Sequence, residues 1–328
     1  MAVMAKEDGL EYARVDVFAE GPLEGNSLAI FTDATGLTTA QMQALAREMN
    51  LAETTFVLPD DTAELGVRVR IFTVQEELPF AGHPTLGTAA WLNLLGAGSE
   101  ITLRLNSGPI TVRFATPREG EAGVFGTMQQ RDPTFGTIHS REKAAGALGM
   151  ALEDLDPDLP VQTVSTGLPF CIVPLRSMEA IARLSIPPAA SQAYLAKTDA
   201  KFFYCTVRTE TGRAAAASGA DFRSRMQFYN GEDPATGSAS GCAISYLVKH
   251  GVVPSGQATV FEQGVEILRP SRIHASAVEQ DGEVTQVFVG GRTIAVATGR
   301  FFQRETESFP QGFVIKPQQL RTRIKIGG

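Results

Sequence analysis

Three ionisable residues sit in sequence settings that could move protons. His83 lies in Phe80-Ala81-Gly82-His83-Pro84-Thr85, where a helix start is expected. The positive end of a helix dipole disfavours an imidazolium, so a neutral imidazole is expected there. Asp233 lies in Glu232-Asp233-Pro234-Ala235-Thr236-Gly237-Ser238, a turn leading into a second helix. Glu53 interrupts an otherwise apolar and β-branched stretch over residues 50–58. That setting favours partial burial and a raised pKa. Each residue also has an ordinary alternative: a histidine capping its helix, a turn aspartate, and a glutamate at a strand edge. Two carboxyl groups and one neutral imidazole, if brought together, are the equipment of general acid–base catalysis.

Other chemistries find no pattern. The serines of Gly237-Ser238-Ala239-Ser240-Gly241 are misplaced for a nucleophile elbow, and no phosphate-binding G-x-x-x-x-G-K-[ST] loop occurs. His83, His139, His250 and His274 lack metal-ligand spacing. Cys171, Cys205 and Cys242 are far apart and odd in number, which predicts buried thiols rather than a disulfide framework or a zinc site. No metal and no cofactor is expected.

The elements that must position these residues carry an internal repeat. At an offset of 155 residues, Glu77, Pro79, Gly82, Leu92 and Gly96 meet Glu232, Pro234, Gly237, Leu247 and Gly251. Both stretches continue as small-residue helices ending at a glycine suited to a C′ position. Small residues let neighbouring chain approach closely, as a helix wrapped by strands would need. Two such helix starts facing one cleft would present backbone N–H groups and positive dipole ends to a carboxylate.

Around them, period-2 alternation predicts strands. It recurs in Ala13-Arg14-Val15-Asp16-Val17-Phe18, Gly66-Val67-Arg68-Val69-Arg70-Ile71-Phe72, Ile101-Thr102-Leu103-Arg104-Leu105, Ile110-Thr111-Val112-Arg113-Phe114, Phe202-Phe203-Tyr204-Cys205-Thr206-Val207 and Thr293-Ile294-Ala295-Val296-Ala297. Helices are expected over residues 39–49, capped by Thr38 or Thr39, and over 140–148, 178–184 and 188–197. Strands occur in runs rather than in βαβ alternation, which gives an α+β reading. The 328 residues are 43% hydrophobic and suggest two domains. A net charge of −7 without a Lys/Arg run argues against nucleic acid. No stretch is long and apolar enough for a membrane span, and the acidic N-terminus lacks a signal-peptide core, so a cytoplasmic protein is expected.

Taken together, these motifs resemble the phenazine biosynthesis PhzF-like family, related to diaminopimelate epimerase. The resemblance runs from about Val15 to Phe301. It is carried by Asp16-Val17-Phe18 with Gly25-Asn26, by Ala46-Arg47-Glu48-Met49-Asn50-Leu51-Ala52-Glu53-Thr54-Thr55-Phe56-Val57, and by Glu77-Leu78-Pro79-Phe80-Ala81-Gly82-His83-Pro84-Thr85. Glu232-Asp233-Pro234-Ala235-Thr236-Gly237-Ser238-Ala239, Gln263-Gly264 and Arg269-Pro270-Ser271 follow in order. The resemblance implies two similar domains, each a curled, barrel-like mixed sheet around a central helix, with the site between them. Boundaries of 1–122 and 123–304 are expected, the first domain being completed by a C-terminal strand from 305–328.

The resemblance further implies an isomerase in which Glu53 is the catalytic acid/base and His83 and Asp233 are its partners. Gly82, Gly237 and Ser238 would bind the substrate carboxylate, with Asn26 and Thr236 completing the substrate-binding set. The related epimerases use paired cysteines; Gly82 and Asp233 stand at those positions here. That favours a 1,3- or 1,5-type proton shift by one carboxyl over two-thiol inversion. An epimerase or racemase with Glu53 and Asp233 as opposed bases, or a non-catalytic binding member of the family, are the alternatives. A small carboxylated substrate and a homodimer are the implied partners. Val74 and Ser27 stand where the family commonly has proline.

Overall fold

The computed structural model describes residues 9–58, 66–118, 120–209, 219–229 and 231–302. In the first half the order is β1 (Leu10–Val17), β2 (Asn26–Phe31), α1 (Thr39–Met49), β3 (Glu53–Leu58), β4 (Val67–Thr73), β5 (Glu77–Leu78), α2 (Gly82–Leu94), β6 (Glu100–Leu105), β7 (Gly108–Phe114) and β8 (Val124–Gln129). The second half continues with β9 (Thr134–Ile138), α3 (Arg141–Leu148), β10 (Gln162–Ser165), β11 (Pro169–Pro174), α4 (Met178–Arg183), α5 (Pro188–Leu195), β12 (Phe202–Arg208) and β13 (Phe222–Arg225). It ends with β14 (Gln227–Phe228), β15 (Gly231–Glu232), α6 (Gly237–Lys249), β16 (Thr259–Gln263), β17 (Ser271–Gln280) and the long β18 (Glu283–Phe301).

The duplication is written in the strand pairing. From β1 to β8, skipping the short β5, neighbours pair antiparallel, parallel, antiparallel, parallel, antiparallel, antiparallel. From β10 through β13, β16 and β17 to β18 the same series recurs. The first circuit closes into an eight-stranded barrel because β18 pairs with both β8 and β1. The pairing thus carries this barrel past residue 122 through β8, and its closing strand is the stretch of β18 opposite β1, ending at Phe301. The tail expected to add a strand, residues 305–328, lies outside the described residues.

Each circuit wraps one central helix. Residues 82–90 of α2 and 237–248 of α6 are buried without interruption. A helix apolar on all sides is what a fully surrounded position requires. Their glycines make room for the walls. A Cβ on Gly87 would come within 2.7 Å of Val17, and one on Gly241 would collide with the buried Gln130 amide. The outer helices follow ordinary rules. Thr38 and Gln41 form a capping box on α1, and Ser140 and Ser177 cap α3 and α4. Met42, Leu45 and Ala46 of α1 pack with Phe31, Phe56 and Phe72 on the outside of the first barrel. The expected helices all form, with ends within two residues of the expected ones.

Candidate active site

The two central helices meet start to start. A Cβ on Gly82 would lie 2.8 Å from the Ser238 backbone nitrogen, so only glycine permits this approach. Unlike α1, α3 and α4, neither α2 nor α6 has a side chain capping its first turn. Pro84 in the first turn of α2 has no N–H to satisfy. The early amides of Gly82, His83, Gly237 and Ser238 thus have no side-chain cap, at two converging positive dipole ends.

The three ionisable residues converge on the narrow cavity at this junction. Glu53 opens β3, His83 stands in the first turn of α2, and Asp233 directly follows β15, opening the turn into α6; all three are buried. His83 Nδ1 lies 3.6 Å from Glu53 Oε2. Asn26, the first residue of β2, spans the halves. Its amide donates to Asp233 Oδ1 at 2.7 Å and to the Ala235 carbonyl at 2.9 Å. That uses both of its protons, so its 3.4 Å contact with His83 Nδ1 is secondary. The Thr236 hydroxyl donates to Asp233 Oδ2. Gln263, fully buried at the end of β16, donates to the Asp233 carbonyl at 2.7 Å and to Thr236 Oγ1 at 2.9 Å. Because Thr236 Oγ1 accepts from Gln263, its own proton points to Asp233. Asn26 and Thr236 are thus engaged in holding Asp233.

Burial sets the electrostatics. Desolvation pushes His83 down to about 3, so the imidazole is neutral. The sequence suggested a neutral ring from the helix dipole; the structure adds loss of water as a cause. Asp233 is pushed up to about 7 by burial, against the lowering effect of the Thr236 and Asn26 hydrogen bonds. Glu53 is held well above the ordinary carboxylate range by burial first and by the Asp233 charge second. His83 Nε2 is buried without a hydrogen-bond partner among the described residues. A substrate oxygen could supply one.

The remaining wall is apolar: Leu78, Leu168, Phe170 and Phe228. Among the described residues no Lys or Arg lines this cavity, so a carboxylate here must rely on backbone N–H groups. No cluster of three or more His, Cys, Asp or Glu suited to a metal occurs among the described residues. No helix among them is long and apolar enough to cross a membrane.

Sequence reasoning gave Gln263 no role. Its signal was an amide two residues after Phe261 in Thr259-Val260-Phe261-Glu262-Gln263, on the same face of the strand. It also missed a sixth match in the repeat. Arg70 and Arg225 are 155 residues apart and each grips a glutamate seven residues on. Nε to Oε1 is 2.8 Å and Nη2 to Oε2 is 2.6 Å for both Arg70–Glu77 and Arg225–Glu232.

Comparison with known proteins agrees with this architecture. Residues 15–299 match the family described as phenazine biosynthesis-like protein. A trans-2,3-dihydro-3-hydroxyanthranilate isomerase of Pseudomonas aeruginosa is 36% identical over 295 residues, covering 89% of this chain and 99% of that protein. The solved structure of a predicted epimerase, also from Pseudomonas aeruginosa, is 37% identical with a TM-score of 0.76, covering 90% of this chain and all of the other. A Bacillus anthracis phenazine biosynthesis protein shares the fold at a TM-score of 0.78 and 24% identity, over 90% of this chain and 99% of that one.

Proposed function

The chain is an isomerase of the phenazine biosynthesis-like family, and from that premise we propose that it catalyses a cofactor-independent proton shift on a small carboxylated substrate, with Glu53 carrying the proton. The observation behind this is the convergence of Glu53, His83 and Asp233 where two uncapped helix starts touch. The substrate carboxylate takes the amides of the two helix starts. Ionised Glu53 removes a proton from an activated carbon, and the C–H electron pair moves into the conjugated system. The neutral acid of Glu53 then returns the same proton to a carbon farther along, so no proton is gained or lost. His83 Nε2 and Asp233 orient the polar substituents. Exclusion of water keeps the proton on Glu53 between the two steps.

One carboxyl suffices because Asp233 is otherwise occupied. Both of its oxygens accept hydrogen bonds, from Asn26 and from Thr236, which suits an orienting anion better than a second base. The relative's substrate, trans-2,3-dihydro-3-hydroxyanthranilate, is the first compound to offer. Glu53→Gln should bind it and not turn it over, read as the change in ultraviolet absorbance when unsaturation shifts. An active Gln variant rules the assignment out. Solvent deuterium uptake with inversion at one stereocentre would instead establish the epimerase reading.

A further inference from the structure

We propose that Arg269 is a positioning residue: reaching from the second half, it clamps the turn of residues 24–27 in the first half and so sets Asn26 against Asp233. The guanidinium makes four contacts with that region. Nε donates to the Gly25 carbonyl at 3.0 Å, and Nη2 reaches the Glu24 carbonyl at 2.6 Å, Asp16 Oδ1 at 2.8 Å and Ser27 Oγ at 3.1 Å. Next along the chain, the Pro270 carbonyl accepts from the Gly25 amide at 2.8 Å. The turn itself requires a glycine. Gly25 has φ +61°, and a Cβ there would stand 2.2 Å from the Val17 carbonyl oxygen.

Asp16 anchors the same knot from below. It is almost fully buried and accepts from the Leu23 amide at 2.8 Å and the Ser27 hydroxyl at 2.6 Å as well as from Arg269. Ser27, which donates to Asp16 and meets Arg269, is therefore a working member of the clamp. The residue this knot delivers is Asn26, whose two amide protons both cross to the second half. A guanidinium with its planar fork of donors suits such multi-point gripping, and an ammonium cannot reproduce it.

The inference rests on the reading of Asp233 as a working partner of Glu53, but its primary test does not. Other groups face Asp233: Glu53 from β3, His83 from α2 by way of Asn26, Tyr204 from β12, its neighbour Glu232, and the neutral Thr236 and Gln263, while Arg14 of β1 and Arg269 itself line a pocket with it. Losing the Asn26 donor removes stabilisation of the carboxylate, so the titration of Asp233 should move to higher pH. The measurement is carboxyl carbon NMR on the full chain labelled at aspartate, with Asp233→Asn used to assign the signal. Asn26→Ala and Arg269→Gln should both move the Asp233 midpoint upward. The double variant should move it no further than Asn26→Ala alone, and Arg269→Lys should give a smaller shift.

An unmoved midpoint in folded Arg269→Gln, or shifts that add in the double variant, overturns the proposal. If Arg269→Gln does not fold, Arg269→Lys decides by the same criterion. With trans-2,3-dihydro-3-hydroxyanthranilate as the probe, kcat should fall between about tenfold and 10²-fold while KM changes little. A moved midpoint with unchanged kcat would leave the clamp standing and remove Asp233 from the catalytic reading.

Discussion

The two halves share one frame and differ in what they place on it. Arg70–Glu77 and Arg225–Glu232 have matching contacts, and Gly82 and Gly237 open equivalent helices. The strand registers then fix which other positions correspond. Phe56 pairs with Arg70 as Cys205 pairs with Arg225, so Glu53 corresponds to Phe202. At the 155-residue offset His83 corresponds to Ser238, and Asp233 to Leu78. The frame was kept where backbone had to approach backbone, and the chemistry diverged around it. Each half contributes one carboxyl group, but at non-equivalent positions. A symmetric two-base inversion has no symmetric pair of bases to use.

The largest blow to this comparison is Glu53→Gln. It should abolish turnover, a loss of at least about 10²–10⁴-fold, with the fold intact, whereas Phe202→Leu at the matching position should change turnover far less. Parallel kinetics of the two variants would check the asymmetry, and equal losses would break it. Next come the matched ion pairs. Arg225 is more buried than Arg70, and it also donates to the Ile181 carbonyl at the end of α4. Arg225→Met should cost about 3 kcal/mol by leaving the half-buried Glu232 unpaired. Arg70→Met, at a more exposed pair, should cost about 1 kcal/mol. Urea denaturation of both variants measures the difference.

The pH effects are subtler. Turnover should rise with pH as Glu53 ionises, with a midpoint above the ordinary carboxylate range. Asp233→Asn removes a neighbouring negative charge, so this limb should move to lower pH in the pH–rate profile. Stability follows by linkage. Carboxyls whose folded pKa is raised favour folding below their unfolded pKa, near 4, and lose that contribution as pH rises through the folded value, about 7 for Asp233. Glu53→Gln should therefore raise the melting temperature by a few degrees at pH 8 and not at pH 4. A scan showing the reverse order would refute the assigned burial.

Much of this was legible because it was local. Thr38 before an amphipathic run announced α1, and the Gly-rich repeat announced both central helices. Glu53, His83 and Asp233 stood out as polar residues in apolar or turn contexts. The rest depends on contacts between residues far apart in the chain. Asn26 lies 207 residues from the carboxylate it holds, and Arg269 lies 244 from the Gly25 carbonyl it grips. No periodicity encodes such pairs. The place where the first barrel closes was likewise invisible, because nothing local in β18 says that one strand serves two sheets.

That shared strand bears on how the protein is made. β1 and β8 emerge early in synthesis, yet their common partner lies within residues 288–301. Until then the amino-terminal barrel is an open sheet with two unpaired edges, the form in which sheets recruit foreign strands. Closure of the first barrel thus waits on a strand from the end of the second half. Cutting the gene between them would give a leading fragment without the last stave of its barrel.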